Sequence, residues 1–363
     1  MEEYMRFKLL GKSGLRVSEL CLGAMTFGTA WEMGADKEES RRVFDTYAEA
    51  GGNFIDTANK YHEGESERMV GEFIKADREH FVLATKYTLF MRHGDPNFSG
   101  NHRKNMVQSL EASLKRLDTD YIDLYWLHAW DYLTPVEEVM RALDDMVRAG
   151  KILYVGISDT PAWIVSRANM LAELKGWSPF VALQIEYSLL ERTVERELIP
   201  MARELDLAVT PWGVLGAGML SGKYNDRKKE LLEDKNHRLS EQSPKLAKEK
   251  NFEIAEEVIK VAKDIGKDPT QVALRWIIQR SDNIIPIVGA RRAEQLKSNL
   301  GCLDFELSDD IVKRLDDVSK IDMGFPHSFL ENDNILDIVY SGMHREIDNH
   351  RKHPVLSRAK RGV

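Results

Sequence analysis

The sequence predicts an α/β protein built as a (β/α)8 TIM barrel, with an N-terminal β-hairpin cap and long loops at the C-terminal face. Three observations lead there. Short β-rich apolar runs alternate with stretches whose apolar residues recur at three and four, which is strand, turn, helix repeated. Most repeats span about 25 to 40 residues, the length of one βα unit. Eight units in about 300 residues favour a closed barrel, because an open doubly wound sheet has fewer strands and a phosphate loop directly after the first one.

Taken in order, residues 5–20 place Lys12-Ser13-Gly14 between two short apolar runs and read as the capping hairpin. Residues 19–22 are the first barrel strand and 37–50 the first helix. The next units pair strand 53–55 with helix 66–75, strand 81–85 with helix 103–116, strand 121–127 with helix 135–149, and strand 152–157 with helix 161–174. Residues 181–185, 208–210 and 284–288 supply the last three strands. Residues 213–247, Gly-rich and then densely charged, are the longest loop candidate. The whole chain, 1–363, reads as one domain: a barrel over about 7–320 and a tail, 321–363. That tail opens on Gly324-Phe325-Pro326, ends in a basic run over 351–361, and reads as a solvated terminus.

Composition narrows the function. With 43% hydrophobic and 30% charged residues and no low-complexity tract, the chain is not a disordered one. Its 51 Lys and Arg against 59 Asp and Glu give a net charge of −8, which argues against nucleic acid as a partner. Only Cys21 and Cys302 occur, too few for a disulfide framework and fitting a reducing compartment. No apolar run reaches about 18 residues and the first ten residues lack a signal-peptide core, so a cytoplasmic protein with no membrane partner is expected. A homo-oligomer is compatible with these features and not required by them. The ten His show no HxH or HExxH arrangement, so no metal site is expected. Two apparent motifs fail on inspection. Gly216-Ala217-Gly218 with Gly222-Lys223 has Ala217 where a phosphate loop needs Gly and Tyr224 where it needs Ser or Thr. Tyr4 and Lys8 have a dehydrogenase spacing but precede every barrel strand.

Barrel enzymes place their chemistry where strands end at the C-terminal face. Asp56 follows the second strand with Tyr61 five residues on, the third strand ends at Lys86, and the fourth at His128. Singly, Asp56 suits a helix cap, Tyr61 packing, Lys86 a surface ion pair and His128 a core position. Together, at three successive strand ends, they form a constellation. Gly52-Asn53-Phe54-Ile55-Asp56-Thr57-Ala58 with Tyr61, Ala84-Thr85-Lys86 and Leu127-His128 resemble the signature blocks of the aldo-keto reductase superfamily. The resemblance continues through Gly156-Ile157-Ser158, Gln184-Ile185-Glu186-Tyr187-Ser188, Pro211-Trp212 and Ile285-Pro286-Ile287-Val288-Gly289-Ala290-Arg291, and covers roughly residues 7 to 320. Leu189-Leu190-Glu191-Arg192 and Gly218-Met219-Leu220-Ser221-Gly222-Lys223-Tyr224 are similar to the aryl-alcohol dehydrogenase-like and potassium-channel beta-subunit-like branches.

The resemblance implies a catalytic tetrad of Asp56, Tyr61, Lys86 and His128 acting with NADPH/NADP+ on a small carbonyl or alcohol substrate. Elementary chemistry supports the same roles. Tyr61 would donate the proton, but a phenol of ordinary pKa about 10 is poorly matched to neutral pH. A Lys86 ammonium about 4 Å away favours the tyrosinate by up to roughly 4 kcal/mol at an effective dielectric near 20, so Lys86 is expected to lower the phenol. Asp56 would hold that ammonium, and His128 would donate a hydrogen bond to the carbonyl oxygen. The hydride must come from a cofactor. By resemblance, Ser158 and Gln184 hold its carboxamide, Trp212 stacks on its nicotinamide, Asp56 reaches its ribose as well as Lys86, and Leu215, Gly216 and Lys223 line its pyrophosphate, with Asp159, Gly213 and Val214 as further cofactor-binding candidates. Gly289, Arg291, Gln295, Ser298 and Asn299 take the adenosine end, with Arg291 favouring a 2′-phosphate. Ala24-Met25 stand at a ribose position where the family often has Thr, Asp159 where it often has Asn or Arg, and Gly213 where Ser is common. Trp31 and Trp130, with Tyr61 and His128, would line the substrate pocket and favour aromatic or medium-sized aldehydes over sugars. An alternative is a cofactor-binding regulatory subunit with weak reductase activity; that branch carries Asn where this chain has His128. A third, a sugar-phosphate barrel enzyme, explains the Gly289 block but not Lys86 or Tyr61.

Overall fold

The computed structural model describes residues 5–225 and 248–347. Two three-residue strands, β1 (Phe7–Leu9) and β2 (Arg16–Ser18), pair antiparallel with Lys8 opposite Val17, and form the expected hairpin. Eight parallel strands follow: β3 (Cys21–Gly23), β4 (Phe54–Asp56), β5 (Val82–Tyr87), β6 (Ile122–Leu127), β7 (Ile152–Ser158), β8 (Phe180–Glu186), β9 (Ala208–Trp212) and β10 (Ile287–Val288). Neighbours in sequence are neighbours in the sheet, and β10 lies beside β3. At the remaining seam the Val209 N–H donates to Asn283 O and the Ile285 N–H to Val209 O, both at 2.8 Å, which brings the sheet round into a barrel. Pro211, two residues along, has no N–H to continue that seam.

Helices α1 (Lys37–Glu49), α2 (Glu65–Ile74), α3 (Arg103–Leu117), α4 (Val136–Arg148) and α5 (Ala162–Lys175) fall on the expected stretches within two residues. They are joined by α6 (Leu198–Glu204), α7 (Glu249–Ile265), α8 (Pro269–Ile278), α9 (Ala293–Leu300) and α10 (Asp309–Val318). All of these belong to a compact unit, Met1–Ser319. A second unit, Lys320–Val363, contains two short helices among its described residues, α11 (His327–Leu330) and α12 (Asp333–Val339), where a solvated tail was expected. The basic run at 351–361 lies outside the described residues, as do 226–247 of the long loop.

Where strand boundaries differ from expectation, the cause is physical. β5, β7 and β8 run one to two residues further than their apolar stretches, because polar side chains at their C-terminal ends still occupy paired positions, Lys86 opposite Trp126 and Ser158 opposite Gln184; β9 runs on through Pro211 and Trp212, which pair with Ile185 and Glu186. The last strand is shorter than 284–288, since Pro286 cannot donate to a ladder, although its carbonyl accepts from the Cys21 N–H at 2.9 Å.

Strand alternation divides the core in two. Cys21, Phe54, Val82, Ala84, Leu124, Trp126, Ala182, Ala208 and Ile285 fill the barrel, together with Leu10 and Val17 of the hairpin. The alternate residues, among them Leu22, Ile55, Leu83, Tyr125, Leu127, Ile157 and Leu183, pack outward under the helices. Gly156 leaves room for Trp126: a Cβ there would stand 2.3 Å from the indole. The hairpin is pinned to the floor of the barrel by Lys12 N–H on Asp206 O at 2.8 Å and Lys8 Nζ on Ile284 O at 2.7 Å. Gly11, at φ +56°, makes that seat possible, since a Cβ would lie 2.2 Å from Val181 O and 2.6 Å from Asp206 O. Gly11→Ala is expected to lower unfolding free energy by about 1–3 kcal/mol, the scale of overpacking against atoms that cannot yield. Urea titration of both proteins checks this; an unchanged midpoint would show that the hairpin is not seated as described.

Candidate active site

Counting two residues onward from the inward-facing Phe54, Ala84 and Trp126 reaches Asp56, Lys86 and His128, so alternation alone aims all three at the barrel mouth. The same count from Gly156, Ala182 and Thr210 reaches Ser158, Gln184 and Trp212. Tyr61 arrives differently. After β4 the chain stays against β5 through Thr57 N–H on Ala84 O and Asn59 N–H on Lys86 O, then enters a short 3-10 turn, Tyr61–Gly64. His62 and Glu63 have φ of 47° and 55° there, and Gly64 has 85°. Two buried contacts of α2 hold this turn in place. Ser66 Oγ donates to Ala24 O at 2.7 Å, and Glu67 accepts from Thr85 Oγ1 at 2.6 Å and Arg116 Nε at 2.5 Å.

Lys86 is fully buried, and its ammonium has three partners for three protons: Asp56 Oδ2 at 2.5 Å, Thr57 O at 2.7 Å and Tyr61 Oη at 3.3 Å. The other Asp56 oxygen, Oδ1, accepts from Gln184 Nε2 at 3.2 Å. The Tyr61 ring makes T-shaped contacts with Trp31 and His128, with centroids 6.2 and 6.0 Å apart. Thus the structure brings together all four tetrad candidates.

Burial by itself would lower the Lys86 ammonium, but Asp56 and Tyr61 together carry it above its ordinary value. It stays charged. Asp56 is pushed up by burial against the pull of Lys86. Tyr61 corrects the expectation: its phenol stands above 10, because desolvation outweighs the Lys86 charge and Asp56 adds to it. Burial, aided by the Lys86 charge, brings the His128 imidazole down to about 3. Its Nδ1 is buried with no hydrogen-bond partner among the described residues, while its backbone N–H donates to Thr88 Oγ1 at 3.2 Å.

The expected cofactor residues lie around the same rim. Ser158 Oγ is buried with no hydrogen-bond partner among the described residues. Asp159, at φ 41°, accepts from the Trp212 indole at 3.1 Å, and its carbonyl accepts from the Trp130 N–H at 3.5 Å. Past Trp212 come Gly213 at φ 67°, the buried Val214, the half-buried Leu215 and Gly216 at φ 54°. Gly218, at φ 87°, faces the Lys223 ammonium, which would lie 2.7 Å from an added Cβ. Ala24 is buried beside β4, its N–H on Asp56 O, whereas Met25 is exposed. Gly289 and Arg291 are exposed at the start of α9, where the Arg291 N–H donates to Gln295 Oε1 at 3.2 Å, and Asn299 is buried. Ser298 is turned to another partner: its hydroxyl donates to Asp268 Oδ2 at 2.8 Å. The Trp31 ring stacks on His62, and the Trp31 backbone N–H donates to His62 Nδ1 at 3.1 Å. Among the described residues no group of three or more His, Cys, Asp or Glu could hold a metal ion.

Several supporting residues have no sequence signal of their own. Thr57 offers a carbonyl, which every residue has; Thr88 acts through a hydroxyl on an unusual backbone; Glu67 looks like any helix glutamate until Arg116 and Thr85 are found on it.

Comparison with known proteins agrees with this geometry. Residues 19–320 match the Aldo/keto reductase family. The chain is 41% identical over 336 residues to an aryl-alcohol dehydrogenase of Pestalotiopsis microspora, covering 90% of this chain and 85% of that protein. It is 39% identical over 336 residues to norsolorinic acid reductase of Aspergillus flavus, covering 89% and 83%. To an aryl-alcohol dehydrogenase [NADP(+)] of Phanerodontia chrysosporium it is 37% identical over 342 residues, covering 90% and 89%.

The depressed His128 pKa has a measurable sign. The unfolded chain takes up this proton near 6.5 and the folded chain near 3, so between those values falling pH favours the unfolded chain. In a histidine-selective NMR titration from pH 8 to 5, the His128 resonances are expected to stay at neutral-imidazole positions. A protonation step near 6.5 would contradict the burial argument.

Proposed function

The chain belongs to the aldo/keto reductase family, and from that premise we propose that it is an NADPH-dependent oxidoreductase that reduces aldehydes or ketones, aromatic and medium-sized aldehydes above all, to alcohols. The observation that carries the reading is the position of the Lys86 ammonium, within hydrogen-bond distance of both Asp56 and Tyr61 Oη, with the His128 ring centroid 6.0 Å from that of the phenol.

The residues at the rim suit a nicotinamide dinucleotide. The buried Ser158 hydroxyl, which has no partner among the described residues, would bond its carboxamide, with Gln184 beside it, and Trp212, steadied by Asp159, would stack on its ring. The left-handed Gly216 and Gly218 leave bare backbone against the Leu190 and Lys223 side chains, where a Cβ would collide with them, and such backbone beside a Lys ammonium suits a pyrophosphate. Arg291, at the N-terminal end of α9, would meet a 2′-phosphate. NADPH, when bound, supplies the hydride.

The chain's own groups handle the proton and the charge. A neutral His128 donates a hydrogen bond to the carbonyl oxygen, which gains negative charge as the reaction proceeds. Tyr61, which burial keeps protonated, gives its Oη proton to that oxygen. Lys86, already charged, stabilises the tyrosinate left behind, so its attraction acts on the product of the transfer more than on the resting phenol. Asp56 and the Thr57 carbonyl keep the ammonium aimed. Trp31 and Trp130 offer flat apolar walls for an aromatic substrate. We place this chemistry in the cytoplasm, a setting supported by the two buried free cysteines, Cys21 and Cys302. His128 favours this reading over a regulatory subunit with weak activity.

Tyr61→Phe is expected to lower reductase turnover by about 10² or more with little change in NADPH affinity. Full activity in that variant would remove Tyr61 from the acid role. Arg291→Ala is expected to weaken NADPH binding by about 1.5–3 kcal/mol, the value of a hydrogen bond to a charged group, and to leave NADH nearly unaffected. Fluorescence titration with both cofactors decides, and equal losses would move Arg291 away from the 2′-phosphate.

A further inference from the structure

His128 poses a problem of aim. A hydrogen bond to a reacting oxygen is useful only if the imidazole points at it, and a ring is usually aimed by a partner on its second nitrogen. Here Nδ1 has none among the described residues, and the imidazole meets the Tyr61 ring nearly at right angles, with centroids 6.0 Å apart. What holds His128 is a bond to its backbone.

That bond comes from Thr88. Tyr87 and Leu127 are register partners at the end of the β5–β6 ladder, so Thr88 and His128 are the next pair. The ladder stops there, because Thr88 turns out of the sheet at φ 99°, a region a β-branched residue adopts only under constraint and at a cost of about 1–3 kcal/mol. At that point its hydroxyl accepts the His128 N–H at 3.2 Å and donates its own proton to Asn101 Oδ1 at 2.8 Å. Thr88 and Asn101 are both buried. The Asn101 N–H donates to Asp131 Oδ2 at 2.7 Å, and Asp131 lies three residues beyond His128 and accepts from the Leu133 and Thr134 N–H groups. A closed circuit therefore runs from His128 through Thr88, Asn101 and Asp131 and back along the chain. A carbonyl bond from Gly100 N–H to Thr88 O at 2.8 Å braces it.

We infer that Thr88 is the positioning residue for His128: its hydroxyl, carried out of the sheet by a strained backbone, fixes the His128 peptide and thereby the direction of the imidazole. The inference rests on the proposed role of His128 at the carbonyl oxygen. The strain has a purpose on this view, since an unstrained Thr88 would continue the ladder and turn its hydroxyl elsewhere. The relation to activity is separable from the relation to stability, and that separation is the test.

Three variants of the full-length protein are compared for kcat, NADPH dissociation constant, melting temperature and the histidine NMR spectrum. Thr88→Ser keeps the hydroxyl and is expected to stay within about twofold of the parent kcat. Thr88→Val keeps the shape, loses the hydroxyl, and is expected to lower kcat by about tenfold, with NADPH affinity unchanged and the His128 resonances shifted or broadened. Thr88→Gly also loses the hydroxyl but relieves the positive φ; it is expected to melt no lower than Thr88→Val and yet to be as slow. It also serves if the valine variant does not fold. Parent-like kcat in both Thr88→Val and Thr88→Gly, or kcat that simply follows melting temperature across the three, would overturn the inference. His128→Ala separates the two levels: if it is damaging while Thr88→Val is harmless, the positioning role alone fails. If both are harmless, the role of His128 at the carbonyl fails with it.

Discussion

A lysine ammonium with no exposure to water is the constraint around which this barrel is arranged. Removing such a charge from water costs several kcal/mol even after relaxation, and the loss is offset only when every proton finds an acceptor of good geometry. Lys86 finds a carboxylate, a backbone carbonyl and a phenol oxygen. Each of these then imposes a condition of its own. Asp56 must be ionised and must have its second oxygen occupied, which brings in Gln184 from the far side of the barrel. Thr57 must present its carbonyl, so the chain cannot turn until after residue 57. Tyr61 must reach back from a loop, so that loop needs a fixed shape.

The shape is fixed by groups outside the tetrad candidates. Ser66 and Glu67 on α2 bond to the ends of β3 and β5, and Arg116 on α3 closes the pair, so the turn bearing Tyr61 is held from beneath. Above it, His62 carries Trp31 on its ring face and takes the Trp31 N–H on its Nδ1. Residues 61 and 62 thus face opposite tasks from one strained turn: the phenol faces the buried ammonium, and the imidazole anchors the first rim loop. Rigid elements below and a stapled loop above give the phenol one position.

How much of this the sequence displays depends on which force decides each feature. Alternation along strands is decided by burial, so Asp56, Lys86 and His128 could be placed on one rim from the spacing of apolar residues alone. Position within a turn is decided by φ and ψ. Non-glycine residues give little sign that they hold positive φ, so His62, Glu63 and Thr88 could not be read in that way. The Tyr61 phenol shows a third case. Its charged neighbours are evident in the sequence, whereas desolvation depends on everything packed around it, and desolvation wins. Ser298 belongs to the same class: it lies in the right block, but Asp268, thirty residues earlier, takes its hydroxyl. Proline, by contrast, acts locally, and Pro286 shortens the last strand for a reason visible in the sequence itself.

The hairpin floor has a consequence for traffic. Leu10 and Val17 seal the bottom of the barrel, and Cys21, Phe54, Val82 and Leu124 fill the space between that seal and the ion pair. Among the described residues this layer is hydrophobic, and such side chains do not relay protons. On the proposed reading, the proton that Tyr61 gives up must be replaced from bulk water through the mouth, the same opening that substrate enters and product leaves. Recharging the acid and emptying the pocket therefore share one door, and the enzyme becomes ready for its next carbonyl only as the alcohol departs.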